Sequence, residues 1–363
     1  QHLPHTGAAL GALVPDDDHI TGVDVPCVDG RNGGIPIASI TKVMTLLLTF
    51  EALEEGTVSL EDQVTVSRAA AGQIGSQALL DAGSVYSLKE LLKSTIIASA
   101  NDSAYALAEY LAGTETDFVA RMNERAQELG MTDTHFVNCT GLDDGPDADT
   151  HLTTAYDIAL MSCELLKHDE IKEYTTIWMD TVRNGQFGLS NTNKLVRFYD
   201  GTTGLKTGYT SAAGYCLSAS AERGGMELVA VVLHCKTSVD RFESAKALLN
   251  YGFSNYALVT PQPESGIPPV PVVLGRQESV TPVPEHSTPV LLEKALAAQV
   301  QTAIAVDETV QAPVAAGQRI GTMTVTAGEQ LIAEIPLVAP EDVAALTFPE
   351  LWAEFLRCIC MSA

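Results

Sequence analysis

Residues 43–53 read Val-Met-Thr-Leu-Leu-Leu-Thr-Phe-Glu-Ala-Leu, apolar on nearly every side of a helix and broken mainly by Thr45, Thr49 and Glu51. A helix without a polar face cannot lie on a surface, so it must sit inside a core with other elements packed around it. The chain supplies those elements. Segments 88–98, 102–111, 116–129 and 154–166 carry helical patterning, and Phe118, Met122, Ala126 and Leu129 form one stripe that Gly130 ends. Segments 202–209, 214–221 and 227–234 read as strands, and 240–251 as a further helix. Helices first and an antiparallel run of strands later indicate an α+β fold rather than alternating βαβ units.

Beyond Tyr256 the composition changes. Residues 261–289 are rich in Pro, Val and Ser, and short strand-like pieces follow at 290–292, 302–306, 319–325 and 330–338, with Ala327-Gly328-Glu329 as a hairpin turn. This predicts a small all-β domain over 257–343 behind a larger α+β domain over 1–256. The tail, 344–363, holds the cleanest helical pattern. Phe348, Leu351, Trp352, Phe355, Leu356 and Ile359 fall at i, i+3, i+4, i+7, i+8 and i+11. Such a helix either lies on a bilayer surface through 348–359 or packs on its own domain. With Arg357 beside Glu350 and Glu354, contact with lipid would rest on apolar burial rather than charge. No apolar run reaches the roughly 18 residues of a spanning helix.

Lys and Arg number 21 against 46 Asp and Glu, a net charge of −25 over 363 residues. Neutralising phosphates needs the opposite balance, so no nucleic-acid partner is expected. The seven cysteines are scattered without a C-x-x-C pair, which predicts isolated buried thiols rather than a metal site or disulfide framework. The first residue is Gln1 and no signal peptide is visible, so the start reads as processed or trimmed. Residues 1–34 are poorly patterned, with only Ile20-Thr21-Gly22-Val23 suggesting a turn between short strands.

Three short motifs carry chemistry. Ser39-Ile40-Thr41-Lys42 stands at the entrance of the buried helix. Three residues is nearly one turn, so the Ser39 hydroxyl and Lys42 amine share a face. Burial lowers the amine's pKa, and a neutral amine can take the serine proton. Backbone N–H groups at the helix start, Ser39's included, suit a developing oxyanion. Ser99-Ala100-Asn101 lies between two helices and offers a hydroxyl and an amide; taken alone it reads as a helix cap. Lys206-Thr207-Gly208 lies in a strand, where an edge can pair with an extended peptide and the cation and hydroxyl suit a carboxylate; Gly208 lets a ligand approach the backbone. Singly, these motifs are weak: S-x-x-K is expected about once per chain of this size and K-T-G in about one chain in ten.

Together and in this order they match the S-x-x-K, S-x-N and K-T-G set of penicillin-binding proteins and serine β-lactamases. The surroundings, 37–45, 97–102 and 204–210, closely resemble the serine-type D-alanyl-D-alanine carboxypeptidases, the low-molecular-mass penicillin-binding proteins. Gly75-Ser76-Gln77, Asn191-Thr192-Asn193 and Gly214-Tyr215-Cys216-Leu217 resemble them as well. The resemblance is strong over about 35–256 and general for the β domain and tail. It implies a β-lactamase/transpeptidase-like domain, an antiparallel sheet with a helical cluster. It implies that Ser39 attacks the penultimate D-Ala of a peptidoglycan stem peptide, with Lys42 as general base and Ser99 assisting the proton to the departing D-Ala. Asn101 would orient the peptide, Lys206 and Thr207 would bind the carboxylate, and the N–H groups of Ser39 and Tyr209, the residue after Gly208, would form the oxyanion hole. Arg241 is open between a charge for the carboxylate and a surface or helix-packing arginine. β-Lactams would trap Ser39 as a slow acyl-enzyme. No metal or cofactor is expected, and the implied place is extracytoplasmic, in the periplasm or at the outer face of the cytoplasmic membrane. The family's pair of strands before the serine motif is reduced here to a trace near Thr21-Gly22, which puts the edge pairing of the sheet in question.

Two rivals share the motifs. A class A β-lactamase needs a glutamate in an E-x-x-x-N context, which is absent between Asn101 and Lys206, and it lacks an extra β domain. A non-catalytic peptidoglycan-binding protein of the same fold is opposed by the intact Ser39, Lys42 and Lys206. No G-x-S-x-G or H-E-x-x-H occurs to support an α/β-hydrolase or a zinc peptidase.

Overall fold

The apolar segment forms helix α1 (Lys42–Glu54), and Val43, Met44, Leu46, Leu47 and Phe50 are all buried along it. Each such side chain contributes roughly 1.5–3 kcal/mol by leaving water, which makes α1 the axis of the core. The structure, a computed structural model, describes residues 8–13, 34–145 and 147–361. It divides into two compact units between Ser254 and Asn255.

In the first unit, α1 packs among α2 (Leu88–Ile97), α3 (Asn101–Ala112), α4 (Glu115–Glu128) and α5 (Ala155–Leu166). Side-chain caps start three of them: Ser87, Thr114 and Thr154 accept backbone N–H groups of α2, α4 and α5. An antiparallel sheet accompanies the helices, in the order β1 (Ala8–Leu13), β4 (Met226–Cys235), β3 (Gly214–Arg223), β2 (Thr202–Thr210). β4 is buried on both faces, so it reads as a continuous apolar run rather than an alternating one. Val229, Val231 and Leu233 join Cys216 in the helical core. A last helix, α6 (Ser238–Asn255), buries Phe242, Ala245, Leu248 and Leu249. The α+β reading therefore holds, with helix and strand bounds within a few residues of expectation.

The N-terminal reading needs correction. The edge of β4 is paired: Ala8 stands opposite Val232 and Leu13 opposite Glu227. Six small apolar residues, Ala-Ala-Leu-Gly-Ala-Leu, carry no polar alternation, so the strand left no period to read. The expected turn at Thr21-Gly22 falls outside the described residues. A hairpin, Met179–Val182 with Phe187–Ser190, was also unread, although Asn184-Gly185 between its strands is the signal that would have found it.

The second unit is built on β5 (Val300–Val306), β6 (Arg319–Ala327) and β7 (Gln330–Val338), paired antiparallel. Ala327 pairs with Gln330, so Gly328-Glu329 makes the two-residue turn, with Gly328 at φ +58. Met323, Val325, Ile335 and Leu337 fill one core, and Val270, Val314, Ile320 and Val343 belong to a second. The chain closes with α7 (Phe348–Met361), on which Phe348, Leu351, Trp352, Phe355 and Leu356 are all exposed. Among the described residues no helix is long and apolar enough to cross a membrane. Cys139, Cys163, Cys216 and Cys235 are free buried thiols.

Candidate active site

Ser39 lies in a 3₁₀ turn, Ala38–Thr41, that runs directly into α1, and Lys42 is the first residue of that helix. The spacing works as the sequence implies: Lys42 Nζ is 3.0 Å from Ser39 Oγ. Two further groups hold the amine, Asn101 Oδ1 at 2.6 Å and the Thr140 carbonyl at 2.7 Å. Both are pure acceptors. Asn101 is oriented by its other end, where Nδ2 donates to the Ile74 carbonyl. Lys42 is fully buried, and that burial lowers its pKa to about 7 against the opposing pull of Cys139 and Asp102. A neutral amine has two hydrogens and one lone pair. Asn101 and Thr140 take the hydrogens, which leaves the lone pair facing the Ser39 hydroxyl.

Ser99 joins α2 to α3 in the left-handed region at φ +61. It does not cap α3; Ala100 holds that position without a side-chain bond. Its hydroxyl instead accepts from Lys206 Nζ at 2.7 Å, and Lys206 also donates to the Thr207 carbonyl. Burial holds the Lys206 amine well below the usual lysine range, helped by the charges of Lys42 and Arg241. Thr207 Oγ1 donates to Thr192 Oγ1 at 2.7 Å, which brings the Asn191-Thr192-Asn193 stretch alongside.

Gly208 is required by the fold itself. A Cβ there would lie 2.6 Å from the Ile37 carbonyl and 3.2 Å from the Ile40 N, so the missing side chain lets β2 close on the serine turn. β2 is the edge strand, and the outward Thr207 carbonyl fixes the alternation: the Tyr209 N–H also faces outward. The Tyr209 ring is exposed and lies 4.3 Å from that of Tyr215. Arg241 is neither on the surface nor extended into the cleft. It is buried, donates from Nη1 to the Gly208 and Cys216 carbonyls, and stacks near Tyr215 and Phe242. Its Nε is buried without a hydrogen-bond partner among the described residues.

Sequence reading missed the loop that closes the site. Asn138 Oδ1 accepts from the Thr140 and Gly141 N–H groups, and this turn aims the Thr140 carbonyl at Lys42. A lone Asn-x-Thr-Gly gives no chemical pattern to recognise. Asp102 was missed too; its carboxylate accepts from Ala78, Leu80 and Ser103 N–H groups and ties the 74–80 loop beside Asn101. A cavity of about 300 Å³ lined by Ile74, Asn138, Thr140 and Leu142 adjoins the Lys42 side of the cleft. A larger one, about 740 Å³ around Phe50 and Tyr174, contains none of these motif residues.

The motif residues thus converge as two lysine–serine pairs, Lys42 with Ser39 and Lys206 with Ser99, on facing elements. Residues 30–237 match the D-alanyl-D-alanine carboxypeptidase family, and residues 265–345 match the C-terminal domain of penicillin-binding protein 5. The D-alanyl-D-alanine carboxypeptidase DacF of Bacillus subtilis is 37% identical over 316 residues, covering 86% of this chain and 80% of that protein. Penicillin-binding protein 5 of Haemophilus influenzae superposes with a TM-score of 0.72 at 28% identity, covering 95% of this chain and 98% of the other. The ampicillin-bound form of penicillin-binding protein D2 from Listeria monocytogenes gives a TM-score of 0.56 at 32% identity over 70% of this chain and 98% of the other.

Proposed function

The chain belongs to the D-alanyl-D-alanine carboxypeptidase family, and from that premise we propose how its residues divide the reaction. The enzyme is a serine D-Ala-D-Ala carboxypeptidase. Ser39 Oγ attacks the carbonyl carbon of the penultimate D-Ala of a stem peptide, and its proton passes to the neutral Lys42 amine. The oxyanion is received by the N–H groups of Ser39 and Tyr209. As the C–N bond breaks, Ser99 relays a proton to the departing D-Ala amine. Lys206 and Thr207 hold the terminal carboxylate, with the buried Arg241 adding positive charge behind them, and Asn101 orients the peptide. Water then attacks the ester, returns Ser39 Oγ–H and releases the shortened peptide. β-Lactams enter the same path and stop at the ester.

One observation carries this reading: a fully buried lysine whose amine nitrogen lies 3.0 Å from the serine hydroxyl oxygen. The test is release of D-Ala from a diacetyl-Lys-D-Ala-D-Ala peptide. Stoichiometric turnover that Ser39→Ala abolishes supports the assignment; turnover retained by Ser39→Ala removes it.

The organisation we propose is a catalytic domain over 1–256, a β domain over 257–343 and a tail helix over 344–363. The enzyme works outside the cytoplasmic membrane on the cell wall. The tail lies at the membrane–water interface on the outer face of the cytoplasmic membrane, a reading supported by five exposed apolar side chains on one α7 stripe.

A further inference from the structure

The peptide group joining Ala38 to Ser39 has two ends. Its N–H is one of the two oxyanion donors assigned above. Its carbonyl points the opposite way, because a trans peptide sets C=O and N–H antiparallel. That carbonyl is engaged: Thr41 Oγ1 donates to Ala38 O at 2.9 Å. Thr41 Oγ1 in turn lies 2.7 Å from His151 Nε2. On its other side His151 Nδ1 accepts the Val137 N–H at 3.1 Å, so the neutral ring carries its proton on Nε2 and donates it to Thr41. Thr41 is fully enclosed and His151 is 4% exposed. A directed chain therefore runs from His151 Nε2–H to Thr41 Oγ1, and from Thr41 Oγ1–H to Ala38 O.

The carbonyl is also confined sterically. Ala38 sits in the left-handed region at φ +50, a conformation a non-glycine residue keeps only when its surroundings impose it. Gly141, at φ +82, packs so closely that a Cβ there would fall 1.8 Å from Ala38 O. The loop that aims Thr140 at Lys42 thus also presses on the peptide of the nucleophile.

We propose that Thr41 and His151 are positioning residues that orient and polarise the Ala38–Ser39 peptide from behind, strengthening the Ser39 N–H as an oxyanion donor. The inference rests on the reading of Ser39 N–H given above. Hydrogen bonds in series polarise one another, so a peptide whose carbonyl accepts is a better donor at its nitrogen. An oxyanion hole acts by being fixed before charge develops. The second donor is built alike: the carbonyl of the Gly208–Tyr209 peptide accepts from Arg241 Nη1 at 3.1 Å.

The test compares Thr41→Val, which keeps the shape and removes both hydrogen bonds, with Thr41→Ser, which keeps the hydroxyl. His151→Phe removes only the outer donor. Benzylpenicillin carrying a ¹³C-labelled lactam carbonyl is used as the probe. Four quantities are read: the acylation rate, the dissociation constant of the preceding complex, the thermal midpoint, and the ester carbonyl stretch of the acyl-enzyme by infrared difference spectroscopy. In Thr41→Val the ester band should move to higher wavenumber. Acylation should slow about tenfold, a part of what losing a whole oxyanion donor costs, with the dissociation constant unchanged. Thr41→Ser should restore band and rate, and His151→Phe should shift the band the same way by less. A folded Thr41→Val protein with wild-type band and rate overturns the proposal, as does a shift that Thr41→Ser leaves uncorrected. Should Thr41→Val not fold, His151→Phe decides alone, an unshifted band overturning it. A wild-type protein that forms no ester on Ser39 fails at the earlier step and removes the reading of Ser39 together with this proposal.

Discussion

Lys42 Nζ stands 3.0 Å from Ser39 Oγ, 2.6 Å from Asn101 Oδ1 and 2.7 Å from the Thr140 carbonyl, so a neutral amine can give its two hydrogens to the last two and keep its lone pair for Ser39. The base is therefore competent only when neutral. Burial brings its pKa to about 7, so the sign of the pH dependence is fixed. Below that value the ammonium has no lone pair and acylation is slow; above it the amine is free and acylation reaches a plateau. Stopped-flow acylation by a fluorescent penicillin between pH 5 and 9 should rise through about 7. A flat profile across that range would remove Lys42 as the base.

Asn101 is the position from which that pKa can be moved. Asn101→Asp places a carboxylate where the amide oxygen lies 2.6 Å from Lys42 Nζ. A negative charge at that distance favours the ammonium, so the pKa rises by about one to three units. Acylation at pH 7 should drop by about fivefold to 500-fold across that range and recover at higher pH. Recovery distinguishes an altered base from a damaged fold, for which the loss would persist at every pH.

Ser99 separates chemistry from backbone strain. Its φ of +61 suits glycine, whereas its hydroxyl accepts from Lys206 at 2.7 Å. Ser99→Ala and Ser99→Gly both lose the hydroxyl and should reduce D-Ala release by roughly 10²-fold or more. Ser99→Gly should nevertheless be about 1 kcal/mol more stable than Ser99→Ala, because alanine keeps the left-handed penalty. Urea denaturation of the two variants measures this; equal midpoints would contradict the strain argument.

The tail makes a prediction about lipid. Phe348 is 77% exposed and Trp352 and Phe355 each 54%, while Glu350 is tied to Arg276 and Thr347. A chain ending at Thr347 should lose binding to phosphatidylcholine vesicles and keep D-Ala release. Because apolar burial drives the contact, 0.5 M salt should leave wild-type binding unchanged, unlike the roughly 1 kcal/mol per basic residue that salt removes from polybasic attachment. Equal sedimentation of both proteins with vesicles would sink the idea.

What could be read from the sequence follows from how local each feature is. Ser39 and Lys42 are three residues apart on one helical face, so their pairing was visible, and the apolar run behind them announced the burial that tunes the lysine. The pairing of Lys206 with Ser99 joins two elements 107 residues apart and was reachable only through family resemblance. Gly208 has a second reason that no local pattern disclosed: it admits the backbone of Ile37 and Ile40. Thr140 contributes a carbonyl, which every residue has, and His151 and Thr41 contribute bonds whose partners are fixed only by the fold. Strand β1 was unread because a strand of small apolar residues has no alternation to betray it.

The central claim is covalent chemistry at Ser39, and the most direct measurement is intact-protein mass spectrometry after exposure to benzylpenicillin, followed by peptide mapping. One added penicillin mass, located on the peptide bearing Ser39 and absent from a folded Ser39→Ala protein, is the expected result. A native protein that stays unmodified, or an adduct that persists in Ser39→Ala, contradicts the mechanism.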